Sequence, residues 1–290
     1  MTASGLVVVD KSGGMTSHDV VSRVRRLAGT RKVGHAGTLD PMATGVLVLG
    51  INRATRLLGH LMLTEKAYAA TIRLGVATTT DDAEGEVLAT ADAAGLDEAA
   101  VRAALTAFVG DIEQVPTAVS AIKVDGKRAY QRVRDGEDVE LPARPVTVHE
   151  LVPGPLRTSG DLVELDVVLR CSSGTYVRAI ARDLGAALGV GGHLTALRRT
   201  AVGSFDLAAA HTLEELGEAF ALLPIADAAR SSFTTMDLDE TTAQDVRYGR
   251  KLELELAGTT AVFAPDGEFL ALYEPTDTPG LARATAVFTG

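Results

Sequence analysis

The most informative feature of the sequence is the stretch Gly34-His35-Ala36-Gly37-Thr38-Leu39-Asp40-Pro41-Met42-Ala43-Thr44-Gly45. It places a single carboxylate, Asp40, between two glycine-rich turns and directly before a proline. Proline holds its own φ and disfavours the helical region for the residue before it, so Asp40 is expected on a stiff, irregular loop. Such a loop suits a nucleophile or an oriented acid or base. The alternative is a capped turn that leads into the apolar strand 46–49.

Length and composition bound the class of protein. A chain of 290 residues with 46% hydrophobic and 23% charged residues buries a large core and is expected to split in two. No apolar run reaches the roughly 20 residues that span a bilayer, and the N-terminus lacks a signal-peptide pattern. Cys171 is the single cysteine, which excludes an internal disulfide. We therefore expect a cytoplasmic protein with no membrane partner.

The charge is distributed unevenly along the chain. The net charge of −10 argues against nucleic-acid binding when taken alone, but residues 206–290 hold 15 acidic and only 5 basic residues. The remaining residues balance, and their cations form clusters that suit phosphates, with solvated surface as the alternative for any one cluster. The clusters are Arg23, Arg25, Arg26, Arg31 and Lys32; Lys123, Lys127, Arg128, Arg132 and Arg134; and Arg198 and Arg199.

Hydrophobic periodicity predicts alternating helices and strands. Apolar patterns predict strands at 6–9, 68–74 and 162–171, a helix capped by Thr16 or Ser17, and helices that begin at Asp97 and at Tyr176. Asp125-Gly126 indicates a hairpin. After an interruption near 224–232, short segments separated by turns predict a small β-rich module.

Seven motifs occur in order between about residues 5 and 205. They are residues 10–19, 34–45, 66–68, 80–85, 115–123, 171–178 and 197–199. Together they resemble the TruB family of bacterial tRNA pseudouridine synthases. Many relatives carry proline after the lysine of the first motif, where this chain has Ser12.

The resemblance implies an α+β protein with the pseudouridine synthase fold, built on a large mixed and mainly antiparallel sheet. A small C-terminal β-rich, PUA-like domain is expected to follow. The implied boundaries are 1–229 for the catalytic domain, with an RNA-clasping insertion at about 115–145, and 230–290 for the PUA-like domain. The strong acidity of the second domain departs from an RNA-binding expectation.

The implied reaction is isomerisation of uridine to pseudouridine in the T arm of tRNA, at position 55, without a cofactor or metal. Asp40 takes the role of nucleophile, and a free aspartate is already anionic at neutral pH. Arg178 takes the role of its charge partner, because guanidinium stays charged and pairs with carboxylates. Tyr68 takes the position against the target base, where the ring stacks and the hydroxyl accepts or relays the C5 proton.

Further residues match RNA-binding or substrate-binding positions of the family. They are His35, Lys66, Asp82, Tyr176, Leu197, Lys123, Lys127 and Arg128. Asp82 is expected in the same charge network as Arg178, and His35 is expected near the extruded nucleotide. The expected partner is the T-arm stem-loop of tRNA, bound by a monomer that needs no obligate protein partner.

Two other classes of function remain open at this stage. One is a non-catalytic RNA-binding or tRNA-folding protein on the same scaffold, and the other is a phosphate-binding enzyme that uses the glycine-rich loops. The spacing of the histidines matches no zinc motif, and the chain lacks complete dinucleotide-loop, P-loop and GxSxG motifs.

Overall fold

A computed structural model describes the backbone of residues 3–117, 123–124, 127–128 and 141–289, and the side chains of 3–117 and 141–289. The α-helices are α1 Ser17–Leu27, α2 Leu58–Met62, α3 Glu98–Thr106, α4 Val177–Ala187, α5 Leu213–Glu218, α6 Ile225–Ser232 and α7 Glu240–Arg247. Short 3-10 helices cover Asn52–Leu57 and Leu207–Ala209.

The strands follow in chain order. They are β1 Gly5–Lys11, β2 Val33–His35, β3 Thr44–Ile51, β4 Lys66–Leu74, β5 Val76–Thr78, β6 Val87–Thr90, β7 Gly110–Gln114, β8 Lys123–Val124, β9 Lys127–Arg128, β10 Arg144–Ser159, β11 Leu162–Cys171, β12 Gly192–Val202, β13 Phe205–Asp206, β14 Leu223–Pro224, β15 Thr234–Asp237, β16 Thr260–Phe263, β17 Phe269–Pro275 and β18 Ala282–Val287.

The chain divides into two compact units, each made of segments that are distant in sequence. The first contains Met1–Pro41, Gly45–Met62 and Val202–Gly290, and the second contains Met42–Thr44 and Leu63–Ala201. The predicted domain boundary between residues 229 and 230 divides the sequence at one point, whereas each compact unit combines distant segments. The boundary stays a prediction.

In the first unit, β1 lies between β14 and β3 in an antiparallel arrangement, and β2 pairs with β3. The continuous apolar runs in β1 and β3 are buried because both faces of these strands are covered. Helix α1 directs Val20, Val21 and Val24 into the protein, and Thr16 forms a capping box with Asp19 at its N-terminus.

The C-terminal segment of the first unit forms a four-stranded sheet in the order β15-β16-β17-β18, with β15 and β16 parallel. Three of its phenylalanines, Phe263, Phe269 and Phe288, lie in the same apolar cluster as Leu6 and Val48. This segment therefore shares a core with the N-terminal strands of its unit.

In the second unit, the strand order is β12-β4-β11-β10-β7. The pairings of β4 with β11, of β11 with β10 and of β10 with β7 are antiparallel. Strand β11 alternates buried and exposed positions as its sequence predicts. The predicted α+β class, with a large and mainly antiparallel sheet and a C-terminal β-rich segment, is confirmed.

Within the parts of the chain that the structure describes, no helix is long and apolar enough to cross a membrane.

Helix α4 packs closely on the start of β12 through two glycines. A Cβ built on Gly185 would lie 2.2 Å from the carbonyl carbon of Gly191 and from the nitrogen of Gly192. A Cβ on Gly192 would lie 2.5 Å from the Ala181 oxygen. The contact between this helix and this strand therefore depends on the absence of side chains at both positions.

Gly185→Ala should lower the free energy of unfolding by about 1–3 kcal/mol, because overpacking against backbone outweighs the better helix propensity of alanine. The control is Gly217→Ala in α5, where, among the residues that the structure describes, no atom beyond the chain neighbours and the helix's own backbone lies within 4 Å of the added Cβ. That variant should gain up to about 1 kcal/mol. Urea unfolding of both variants measures the difference, and equal effects would contradict the close packing.

Candidate active site

Asp40 lies on the loop between β2 and β3 in the first unit, and its side chain is half-buried. Gly37 on this loop has φ 96°, a conformation that only glycine adopts readily. The loop is irregular, so its main-chain polar groups need partners other than a strand ladder.

Those partners come from the segment that leads into α1. Ser17 Oγ accepts a hydrogen bond from the Leu39 N–H at 2.9 Å and donates one to the Leu39 carbonyl at 3.1 Å. On the other side of Asp40, the Pro41 carbonyl accepts from the Gly14 N–H at 2.9 Å. The two residues that flank Asp40 are therefore both held through their main chain.

Lys11 strengthens this arrangement. Its Nζ donates to the carbonyls of Pro41, Met15 and Ser12 at 3.1, 2.7 and 3.0 Å, and the residue is fully buried. The motif that contains Lys11 and Ser17 marks the resemblance at the sequence level, but its contacts with the Asp40 loop were not predicted.

His35 ends β2 a few residues before Asp40. Its ring makes an edge-to-face contact with the ring of His18, with 5.7 Å between the centroids. His35 is half-buried and His18 is exposed, so this imidazole pair lies at the surface of the first unit.

In the second unit, Arg178 and Asp82 form a buried ion pair. The Arg178 guanidinium donates to Asp82 Oδ2 at 3.2 Å and to the Thr80 carbonyl at 2.9 Å. The side chains are only 7% and 4% exposed. Asp82 also accepts from the Glu84 N–H at 3.1 Å and from the Thr80 hydroxyl. The sequence predicted these two residues for one charge network, and the structure places them in contact.

The N-terminus of α4, which carries Arg178, is held by a glutamine that sequence reasoning missed. Gln114 is buried, and its amide donates to the Tyr176 carbonyl at 3.0 Å and accepts from the Tyr176 N–H at 2.7 Å. Tyr176 itself is half-buried and begins the helix without a side-chain cap. The only feature of the sequence that could have indicated this contact is a polar residue at the position that ends β7.

One turn further along α4, Arg182 contacts the same region. It donates to the Val115 carbonyl at 2.8 Å and to Asp81 Oδ2 at 3.3 Å. Burial raises the pKa of the Asp81 carboxyl, and the nearby Arg182 and Arg178 guanidinium groups oppose that shift. Asp81, directly before Asp82, has φ 58°, a left-handed backbone conformation that is uncommon for residues other than glycine.

Three further predicted residues lie in the interior of the second unit. Tyr68 and Lys66 occupy the core-facing side of β4, and Leu197 is buried on β12. The Lys66 ammonium donates to the Thr64 carbonyl. Burial, followed by repulsion from the buried Arg199, lowers the pKa of Lys66 to about 8. The structure thus places the predicted RNA-binding Lys66 in a desolvated position.

The predicted RNA-clasping insertion is described only in part. Its short strands β8 and β9 pair antiparallel, with Lys123 opposite Arg128 and Val124 opposite Lys127, on either side of the predicted hairpin turn. The side chains of Lys123, Lys127 and Arg128 lie outside the described residues, as do residues 118–122, 125–126 and 129–140. Their predicted contacts with RNA stay predictions.

Among the residues with described side chains, no group of three or more His, Cys, Asp or Glu residues is arranged to hold a metal ion.

Comparison with protein families gives three consecutive matches. Residues 25–177 match the N-terminal domain of the TruB family pseudouridylate synthases. Residues 178–236 match the C-terminal domain of tRNA pseudouridylate synthase B, and residues 233–289 match a C-terminal domain of tRNA pseudouridine synthase II.

Curated relatives match over nearly the whole chain. The tRNA pseudouridine synthase B of Nocardia farcinica is 60% identical, with 98% of this chain and 92% of the relative covered. The protein of that name from Arthrobacter sp. is 56% identical, with 98% and 96% covered.

Two solved structures share the fold. A chain of an H/ACA RNP bound to a substrate RNA containing 2'-deoxyuridine matches with a TM-score of 0.74 and 23% identity, over 99% of this chain and 85% of that one. A chain of a Cbf5-Nop10-Gar1 complex matches with a TM-score of 0.74 and 24% identity, over 98% and 84%.

The buried pair of Asp82 and Arg178 should show strong coupling in stability. Asp82→Asn and Arg178→Met should each lower the free energy of unfolding by about 3–5 kcal/mol, because each leaves a buried polar group without its partner. The double variant should lose less than the sum by about 0.5–3 kcal/mol. Urea unfolding measures the cycle. The control cycle uses the more exposed pair Arg73 and Glu164, where coupling should stay below about 1 kcal/mol. Additive losses at the buried pair would contradict this arrangement.

Lys66 should make stability depend on pH. An unfolded lysine has a pKa of about 10.4, so between about pH 8 and pH 10 the unfolded chain binds more protons than the folded one. The contribution of Lys66 to the free energy of unfolding should therefore rise with pH in this window. Lys66→Met should remove that contribution, and its advantage over the wild type should be largest below pH 8.

The matched control is Lys251→Met, because Lys251 is exposed. Urea unfolding at a series of pH values should give this control the same slope as the wild type. Equal slopes for wild type and Lys66→Met would show that Lys66 is not desolvated.

Proposed function

The chain belongs to the TruB family of pseudouridine synthases, and on that premise we propose that it isomerises uridine 55 in the T arm of tRNA with Asp40 as nucleophile and without a cofactor. Membership of the family makes it an isomerase. The substrate position and the role of each residue belong to the proposal.

The observation that carries the proposal is the support of the Asp40 loop. Both residues that flank Asp40 are hydrogen-bonded through their main chain, by Ser17 on one side and by Gly14 and Lys11 on the other. The carboxylate therefore sits on a pre-organised loop and remains half-exposed, as a nucleophile that receives a substrate requires.

The reaction changes only the connection between base and ribose. The bond from C1′ to N1 breaks, the uracil rotates, and C1′ joins C5. The proton that C5 loses needs an acceptor, and N1 ends with a proton, so the atoms balance without an oxidant or a second substrate. A nucleophile, a surface for the base and a proton acceptor are sufficient for this chemistry.

We assign the surface for the base and the proton relay to Tyr68. Tyr68 is buried on β4, and a buried side chain has already lost rotamer freedom, which lowers the entropy cost of stacking. Arg178 is assigned to the charge network of the site. Its anchoring by Asp82 and the Thr80 carbonyl keeps the guanidinium in place without substrate.

A uridine in a folded tRNA loop must be extruded before it reacts. Extrusion costs a few kcal/mol, and stacking on an aromatic side chain returns about 1–3 kcal/mol per base. Contacts with phosphates supply further binding energy. We assign base contacts to His35, Tyr176 and Leu197, and phosphate contacts to Lys123, Lys127 and Arg128.

One exposed surface supports binding of a polyanion. The second half of α1 and the turn after it carry Arg23, Arg25, Arg26, Arg31 and Lys32, and all five are exposed. Within the described part of the chain none of these cations has a carboxylate partner, although the chain as a whole carries a net charge of −10. This is the charge distribution expected where RNA phosphates approach.

The remaining assignments follow from the substrate. We propose that residues 1–229 carry the chemistry and that residues 230–290 form a PUA-like appendage. We also propose that the enzyme works in the cytoplasm, where tRNA is modified, as a monomer without an obligate protein partner.

Asp40→Asn should abolish turnover while folding and tRNA binding persist, because the amide is nearly isosteric with the carboxylate but is a poor nucleophile. Release of tritium from tRNA that carries 5-tritiated uridine measures loss of the C5 proton, and filter binding measures affinity. The control is Asp239→Asn, the same chemical change at the cap of α7, where asparagine caps as well as aspartate.

The control variant should keep the wild-type rate. Tritium release by Asp40→Asn at the wild-type rate would refute the assignment of Asp40. A wild type that binds tRNA but releases no tritium would instead support the non-catalytic RNA-binding alternative.

A further inference from the structure

We propose that Ser17 is a positioning residue for the reaction, acting through the main chain of Leu39 to fix the orientation of Asp40. The inference rests on the proposed function of Asp40. It goes beyond that function because it assigns an effect on the rate to a side chain that takes no part in the bond changes of the reaction.

The first argument is that Ser17 does not serve the helix that contains it. Thr16 is the N-cap of α1: its hydroxyl accepts from the Asp19 N–H, and the Asp19 carboxylate accepts from the Thr16 N–H. Ser17 follows at the first helical position and is 2% exposed. Its hydroxyl is therefore available for a contact outside the helix.

The second argument is that the hydroxyl makes two bonds to a single residue. It accepts from the Leu39 N–H at 2.9 Å and donates to the Leu39 carbonyl at 3.1 Å, across a separation of 22 residues. Leu39 is 3% exposed, so water does not readily replace either bond. One side-chain oxygen thus satisfies both main-chain polar groups of the residue before Asp40 and defines the orientation of two successive peptide planes.

The third argument is that Asp40 has a fixed neighbour on its other side as well. The Pro41 carbonyl is held by the Gly14 N–H at 2.9 Å and by Lys11 Nζ at 3.1 Å. The Leu39 peptide is a second point that orients the Asp40 backbone, and Ser17 holds it. Loss of the Ser17 hydroxyl would release that point while leaving the rest of the loop attached.

A rotation at this point moves the carboxylate without removing it. Reactions that depend on a near-attack geometry lose about 10²-fold in rate for a misplacement of about 1 Å. Binding of the RNA, which is spread over many phosphate contacts, should be much less sensitive to the same rotation.

The test compares Ser17→Ala with Thr16→Ala, a control that removes the cap of the same helix but leaves the Leu39 contacts intact. Three quantities are measured: the rate of tritium release in a single turnover at saturating enzyme, the Kd for tRNA and the Tm. Ser17→Ala should lower the single-turnover rate by about 10- to 100-fold with little change in Kd. Thr16→Ala should lower the Tm but keep the wild-type rate.

Conservative variants separate positioning from a structural role. Ser17→Thr keeps the hydroxyl and should recover most of the rate. Ser17→Cys keeps the volume but replaces the hydroxyl with a weak donor and acceptor, so it should give an intermediate rate, and it serves as the test should Ser17→Ala not fold.

A wild-type rate for Ser17→Ala or for Ser17→Cys would overturn the inference, as would equal rate losses in Ser17→Ala and Thr16→Ala. These outcomes leave the proposed function intact, provided that the wild type releases tritium and Asp40→Asn does not. A wild type without tritium release would overturn the proposed function and this inference together.

Discussion

The constraint on which the candidate site depends is that buried main-chain polar groups must find hydrogen-bond partners. The loop that carries Asp40 leaves the sheet after β2 and rejoins it at β3, so it has no strand ladder to satisfy Leu39 and Pro41. Side chains and the turn before α1 supply the bonds instead. These bonds hold the loop although it is irregular, and they hold the backbone on both sides of the Asp40 carboxylate.

The second unit meets the same constraint in a similar way. The start of α4 lacks a side-chain cap, and the amide of Gln114 occupies both main-chain groups of Tyr176. Asp82 lies just after a residue with positive φ and is held by an N–H, a hydroxyl and a guanidinium. In both units, a polar side chain from a distant segment holds the backbone beside a candidate functional residue.

Several basic side chains are buried in these two units. Lys11, Lys66, Arg178 and Arg199 all lie in the interior, where an ionised group is stable only with close partners. Lys11 donates to three carbonyls and Arg178 pairs with a carboxylate, so their charge is compensated locally. The pKa of Lys66 falls because desolvation and Arg199 act on it together.

Local sequence patterns were enough to predict several of the helices and strands and to name the candidate residues. Periodicity predicted β11 and the helices that begin near residues 17, 97 and 176, because the burial of a face repeats every two or 3.6 residues and leaves a local pattern. Motif content identified Asp40, Asp82 and Arg178. The partners that hold these residues become visible once the chain is folded. Ser17 was one of two predicted caps, yet it bonds Leu39 across 22 residues, and Gln114 had no predicted role, yet it bonds Tyr176 across 62. The motif gave Lys66 as a residue that binds RNA or substrate, and the structure adds that it is buried. Contacts between distant segments depend on how the chain folds back on itself, and that leaves no periodic signal for sequence reasoning to detect.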